Sequence, residues 1–187
     1  MSDIKTIGKA RSAAIEPGKG TRTPAPAVRP AGSGEADRRL IEAIELLFFG
    51  YRDFVSEPDT ILGAYEFGRA HHRVVHFVGR NPGMTVAELL DILRITKQSL
   101  ARVLRQLIER GFIEQKTGET DRRQRRLYLT GAGAELWDRL AVPQKERVRK
   151  ALAAAGPHGE AAWRDIMLAL IDEEHRPDVE QIINREP

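Results

Sequence analysis

Residues 85–130 read TVAELLDILRITKQSLARVLRQLIERGFIEQKTGETDRRQRRLYLT, and the order of polar and apolar positions in that stretch decides the fold. Behind Thr85, the residues Val86, Leu89, Leu90 and Leu93 recur at helical spacing, which predicts a short helix with those four side chains inward. Arg94-Ile95 breaks the pattern. Thr96 then suits the N-cap of a second helix, because its hydroxyl accepts from a free backbone N–H of the first turn. In that helix Leu100, Val103, Leu104, Leu107 and Ile108 fall at i, i+3, i+4, i+7 and i+8, forming one apolar stripe. Gln98, Arg102, Arg105 and Glu109 lie on the opposite side. Arg110-Gly111 closes the helix, with glycine free to take the left-handed C-cap conformation. Two strand-like runs follow at 112–116 and 126–130, the second with Leu127 and Leu129 inward and Tyr128 outward. The polar, arginine-rich segment between them makes a β-hairpin with a basic tip.

Working outward, the flanks are helical. Leu40, Ile41, Ile44, Leu47 and Phe48 recur at helical spacing within residues 36–55. Pro58-Asp59 is expected to interrupt that helix and start another, running to about Gly79. Asn81-Pro82-Gly83 is a turn. Beyond the hairpin a long helix is expected over 132–155, with Pro143 inside it and Gly156-Pro157 ending it. Another is expected over 159–174, with Ala162, Trp163, Ile166, Met167 and Leu170 on its apolar side. Residues 1–34 are rich in Gly, Pro, Ala and Ser, hold too little apolar surface to offset ordering entropy, and read as a disordered basic tail. Residues 35–187 read as a single domain.

The net charge of +3 is unremarkable until it is divided along the chain. Residues 94–126 hold ten Lys/Arg against four acids, a local charge of +6, whereas 35–93 and 135–187 are net acidic. A cationic stretch on an acidic body is the footprint of a polyanion-facing surface. The chain has no cysteine, which excludes disulfides, thiolate metal sites and thiol-based redox sensing. No apolar run approaches membrane-spanning length and the start lacks the apolar core of a secretory signal, so a cytoplasmic protein without a membrane partner is expected. No phosphate-binding glycine loop, nucleophile motif or complete metal-ligand set occurs, so neither an enzyme nor a cofactor is expected.

A short helix, a tight turn and a second capped helix with a free polar face make a helix-turn-helix, whose second helix enters a major groove about 12 Å wide. Thr96, Lys97, Gln98, Ser99 and Arg102 near its start would reach base edges, and Arg105 a backbone phosphate. A winged-helix module for protein–protein assembly is the alternative; it would present apolar groups on this face, where Gln98, Arg102 and Arg105 stand instead.

The pieces TVAELLDILRITKQSLARVLRQLIERGFIE and DRRQRRLYLT resemble the multiple-antibiotic-resistance-regulator (MarR) family of winged-helix repressors, a resemblance extending over about 36–174. It implies a mainly α fold with a small β-hairpin wing, and a transcriptional regulator, more often repressor than activator. The family's Asp-x-Arg pair maps to Asp121 and Arg123, which implies that Asp121 orders the wing and Arg123 reaches a minor groove. Arg122, Arg125 and Arg126 would contribute phosphate contacts or intramolecular pairing. The resemblance further implies a homodimer on near-palindromic DNA, with 36–55 and 159–174 as interleaved dimerisation helices. Many relatives bind small aromatic or anionic effectors between the dimer arms and the DNA-binding lobe. Here Phe48, Tyr51, Arg52, Tyr65, Arg69, His72 and His76 either line such a cleft or are ordinary core and surface pairs. His72 and His76 stand at i, i+4, but two histidines without a third ligand make only a partial metal site, and no bound metal is expected.

Overall fold

The computed structural model describes residues 34–118 and 124–185. In chain order the elements are α1 (Glu35–Gly63), α2 (Arg69–Arg80), α3 (Val86–Leu93), α4 (Lys97–Glu109), β1 (Ile113–Thr117), β2 (Arg125–Leu129), α5 (Gly131–Ala155), α6 (Gly159–Ala169) and α7 (Arg176–Ile183). The fold is therefore mainly helical with one antiparallel hairpin, the class expected from the sequence. The chain divides into two units, Met1–Leu40 and Ile41–Pro187. Of the first, residues 34–40 are described; they open α1, where Glu35 accepts hydrogen bonds from Arg38 and, at 3.3 Å, from Arg39. Of the tail expected at 1–34, residues 1–33 lie outside the described residues.

In the second unit α2 is the central post. Val74, Val75 and Val78 on it are fully buried and meet α4, α5 and β2. Around them close Leu62 of α1, Leu89 of α3, Leu100, Val103, Leu104 and Leu107 of α4, Leu127 of β2, and Leu136 and Leu140 of α5. Each fully buried leucine contributes about 1.5–3 kcal/mol of transfer free energy, which fixes α4 by its stripe and leaves the other face to solvent.

The exit from α4 follows its sequence. Gly111 stands at φ +74, and the N–H groups of Gly111 and Phe112 donate to the carbonyls of Ile108 (3.0 Å) and Leu107 (2.9 Å). These bonds satisfy carbonyls that would otherwise lack partners at a helix end. The hairpin pairs Ile113 with Leu129 through Thr117 with Arg125. It is also braced by residues 83–85, which lead from the turn into α3. Gly83 N–H donates to Leu127 O at 2.8 Å, Leu127 N–H donates to Met84 O at 2.9 Å, and Thr85 bridges Arg126. Gly83 itself has φ +83, and a Cβ there would meet the Tyr128 hydroxyl at 2.9 Å.

Two sequence expectations are corrected. Pro58 neither ends α1 nor starts α2; it lies inside α1, fully buried, on one stripe with Val55 and Leu62. A mid-helix proline costs about 3 kcal/mol or more, and burial of these three side chains offsets that cost here. The break falls instead at Ala64–Gly68, where Glu66 takes φ 53. The helix expected over 159–174 ends at Ala169, and a further helix that the sequence reading did not include, α7, follows over Arg176–Ile183. Pro177 sits in the first turn of α7, where its missing N–H costs no helical hydrogen bond. Arg176 donates to the carbonyls of Leu168 (3.0 Å) and Ile171 (3.3 Å), satisfying the end of α6. Among the described residues no helix is long and apolar enough to cross a membrane.

The apolar faces expected on the flanking helices are present but uncovered. Every residue from Ile41 to Asp53 is exposed, Phe48 at 71%, and Trp163 and Ile166 on α6 and Leu170 at its C-cap are exposed as well.

Candidate nucleic-acid interface

The helix pair α3–α4 is held at both starts by side-chain caps. Thr85 Oγ1 accepts from Glu88 N–H (3.2 Å), while Glu88 Oε2 accepts from Thr85 N–H (2.7 Å) and from the Thr85 hydroxyl (2.9 Å). The backbone bond from Thr85 holds the Glu88 carboxyl below the usual carboxylate range. At α4, Thr96 Oγ1 accepts from Ser99 N–H at 3.1 Å and donates to Ser99 Oγ at 2.9 Å. Thr96 is thus the N-cap that the sequence indicated, and its hydroxyl is engaged within the chain.

Gln98, Arg102 and Arg105 are exposed on the side of α4 opposite Leu100, Val103, Leu104 and Leu107, and Lys97 is exposed as the first residue of the helix. The arrangement puts amide and guanidinium donors on a rigid helix whose other face is anchored. Such a face can pair with purine edges and phosphates.

A histidine of α2 that the sequence reading did not single out fixes α4 from behind. His71 is buried, stacked 4.5 Å from Phe67. Gly68 N–H donates to its Nδ1 (3.1 Å), so its proton sits on Nε2 and is donated to Gln106 Oε1 of α4 (2.8 Å). His72 and His76 point elsewhere, since one residue step turns a helix by about 100°; that rotation was the available signal.

In the wing, Arg125 Nη1 donates to Thr117 Oγ1 across the strands at 2.9 Å, and the guanidinium stays exposed. Arg126 donates to Gly83 O at 3.1 Å and is half-buried, an intramolecular brace. Asp121, Arg122 and Arg123 lie outside the described residues.

A second feature lies under α1. A cavity of about 190 Å³ is lined by Tyr51, Phe54, Arg69, His72, His76 and Gln144, among others. It brings together four of the seven residues considered for a cleft: Tyr51, Arg69, His72 and His76. The other three stand elsewhere. Phe48 is on the exposed stripe; Arg52 pairs with Asp53 at 2.8 Å and lies over the Phe49 ring. Tyr65 joins Phe67 and Phe112, with its hydroxyl accepting from Arg139 at 2.6 Å. Arg69 is bound to Asp59, Nη2 to Oδ2 at 2.9 Å. Burial pushes both His72 and His76 below the ordinary imidazole value; His76 adds to the effect on His72, and Arg80 and Lys145 to that on His76. Among the described residues no group of three or more His, Cys, Asp or Glu side chains could hold a metal ion.

Comparison with known proteins joins these observations. The sequence pattern of the MarR family matches residues 65–124. The chain is 47% identical over 136 residues to the HTH-type transcriptional regulator PetP of Rhodobacter capsulatus, covering 73% of this chain and 82% of that protein. Its fold is similar to the crystal structure of MarR, with TM-score 0.55 and 26% identity over 75% of this chain and 94% of that one. It is also similar to the transcriptional regulator SlyA, with TM-score 0.58 over 76% of this chain and 98% of that one; at 15% identity this likeness speaks for the fold alone.

Proposed function

The chain belongs to the MarR family of transcriptional regulators, and from that premise we propose that it is a homodimeric repressor that reads near-palindromic operators with α4. As a member of a family of regulators it is not an enzyme. The observation that carries the reading is the division of α4 into a buried apolar stripe and an exposed face of Gln98, Arg102 and Arg105, with Lys97 exposed at the helix start. Gln pairs well with adenine and Arg with guanine in the major groove, and Arg105 suits phosphate. The wing supplies Arg125 for phosphate, and the family pattern assigns Arg122 a phosphate contact and Arg123 the flanking minor groove. A protein–protein module would carry apolar groups on α4, so the polar face favours DNA over that alternative.

The partner is a second copy of the chain. From Ile41 to Tyr51 apolar side chains point in nearly every direction around α1, with Leu46 and Phe49 off the main stripe. Glu42 and Glu45 interrupt that surface, but so large an exposed apolar area needs a cover. Threading between the helices of a partner, against its Trp163, Ile166 and Leu170, would cover it. Two-fold symmetry then sets two reading helices on half-sites about one turn, roughly 10 bp, apart.

The cavity beneath α1 is the effector site in this reading. Its volume of about 190 Å³ suits a small aromatic acid, with Tyr51 as wall and Arg69 released from Asp59 to meet the carboxylate. Such a ligand acts only if it prefers one spacing of the reading heads, because equal affinity for both shifts nothing.

The test is selection of genomic DNA fragments by the purified protein. The expected product is an inverted repeat with half-sites about 10 bp apart, bound by two chains. On it, Gln98→Ala and Arg102→Ala each lose about 1–3 kcal/mol of base discrimination. Enrichment of fragments without a repeat, or variants that lose only sequence-independent affinity, would contradict the reading.

A further inference from the structure

Arg94 stands in the turn between α3 and α4 at φ 50, ψ 43, a left-handed conformation that side chains rarely adopt. Two contacts across the fold converge on α7. Arg94 Nη1 donates to Nε2 of His175, the residue that opens α7, and Arg80, the last residue of α2, donates to the Arg185 carbonyl at 2.6 Å. Arg176 meanwhile fastens α7 to the end of α6. A guanidinium always carries its protons, so the His175 nitrogen facing Arg94 must offer its lone pair. Glu174 Oε1, 3.0 Å from the same nitrogen, is its competitor.

We propose that Arg94 is a positioning residue for DNA reading: its tether to His175 fixes the bend of the α3–α4 turn, and through it α7 sets the angle at which α4 presents its polar face. The proposal rests on the reading of α4 as the DNA-reading helix. The mechanical reason is leverage. Thr96, the cap of α4, follows Arg94 by two residues, and α4 extends thirteen residues, roughly 20 Å, beyond it. A small change of dihedral at Arg94 displaces the whole reading face, and hydrogen bonds to base edges tolerate little misalignment. Because α7 continues from α6, the tether also links the C-terminal helices to the reading head.

The experiment measures affinity for two duplexes at one fixed salt concentration: the genomic fragment most enriched by the wild-type protein, and a shuffled duplex of equal length. Arg94→Gly removes the tether yet suits the left-handed turn, so it separates lost positioning from added backbone strain. His175→Leu removes the acceptor, while His175→Gln keeps one. Arg94→Gly and His175→Leu are expected to narrow the ratio of the two affinities on the order of tenfold, with shuffled-duplex binding unchanged and with His175→Gln restoring the ratio. A ratio that stays at the wild-type value in both variants, or an equal loss on both duplexes, overturns the proposal while leaving α4 as the reader. A wild-type protein that prefers no fragment overturns the reading of α4 and the proposal with it.

Discussion

The reciprocal cap between Thr85 and Glu88 decides whether α3 starts where it does, and it gives the fold a defined acid sensitivity. Glu88 is held below the ordinary carboxylate value chiefly by the Thr85 N–H. Its contribution to stability is therefore present above the ordinary carboxylate range and is lost as pH falls through the lowered value. Replacing it by Gln keeps a neutral acceptor, so Glu88→Gln should flatten the acid limb of a thermal-stability profile between about pH 5 and pH 3. An acid limb as steep as that of the wild type would show that Glu88 is not its source. At this scale the sequence was legible where an interaction is local. Thr96 was read as the cap of α4 because cap and capped N–H are three residues apart. His71 was not, since its partner Gln106 is thirty-five residues away and only the packing of α2 on α4 makes them meet.

Among the elements, the wing depends most on a single glycine. Gly83 takes φ +83 and faces the Tyr128 hydroxyl, while its backbone ties the turn before α3 to β2. Gly83→Ala is expected to destabilise the protein by about 1–2 kcal/mol from the left-handed backbone alone, with the Tyr128 contact adding to it, seen as a lower denaturation midpoint. A midpoint equal to the wild type would mean that the turn relaxes freely. The helix-turn-helix and hairpin were legible because their periodicity is clean, and the strands differ from their expected bounds by one residue. Pro58 and the end of α6 were misread for different reasons. At Pro58 burial with Val55 and Leu62 outweighs a local breaker, whereas the apolar spacing through Leu170 carried the expected helix past its end at Ala169 and gave no sign of α7.

For the whole molecule, the exposed apolar surface of α1 and α6 is the feature that one chain leaves unexplained. Periodicity placed Ile41, Ile44, Leu47 and Phe48 on one face, but periodicity cannot say whether a face is covered by its own chain or by another. A second copy covering it predicts that Ile44→Glu, which buries a charge in the interface, shifts the protein from dimer to monomer in sedimentation. A variant that remains dimeric would place the interface elsewhere.

The account as a whole holds that two copies of α4 lie in successive major grooves. The absence of cysteine makes a direct test available, because one introduced thiol is unique. Lys97→Cys, coupled to an iron chelate and bound to a selected genomic duplex, should cut the DNA in two clusters about 10 bp apart. A bound complex that yields no cuts, or cuts at a single position, would contradict it.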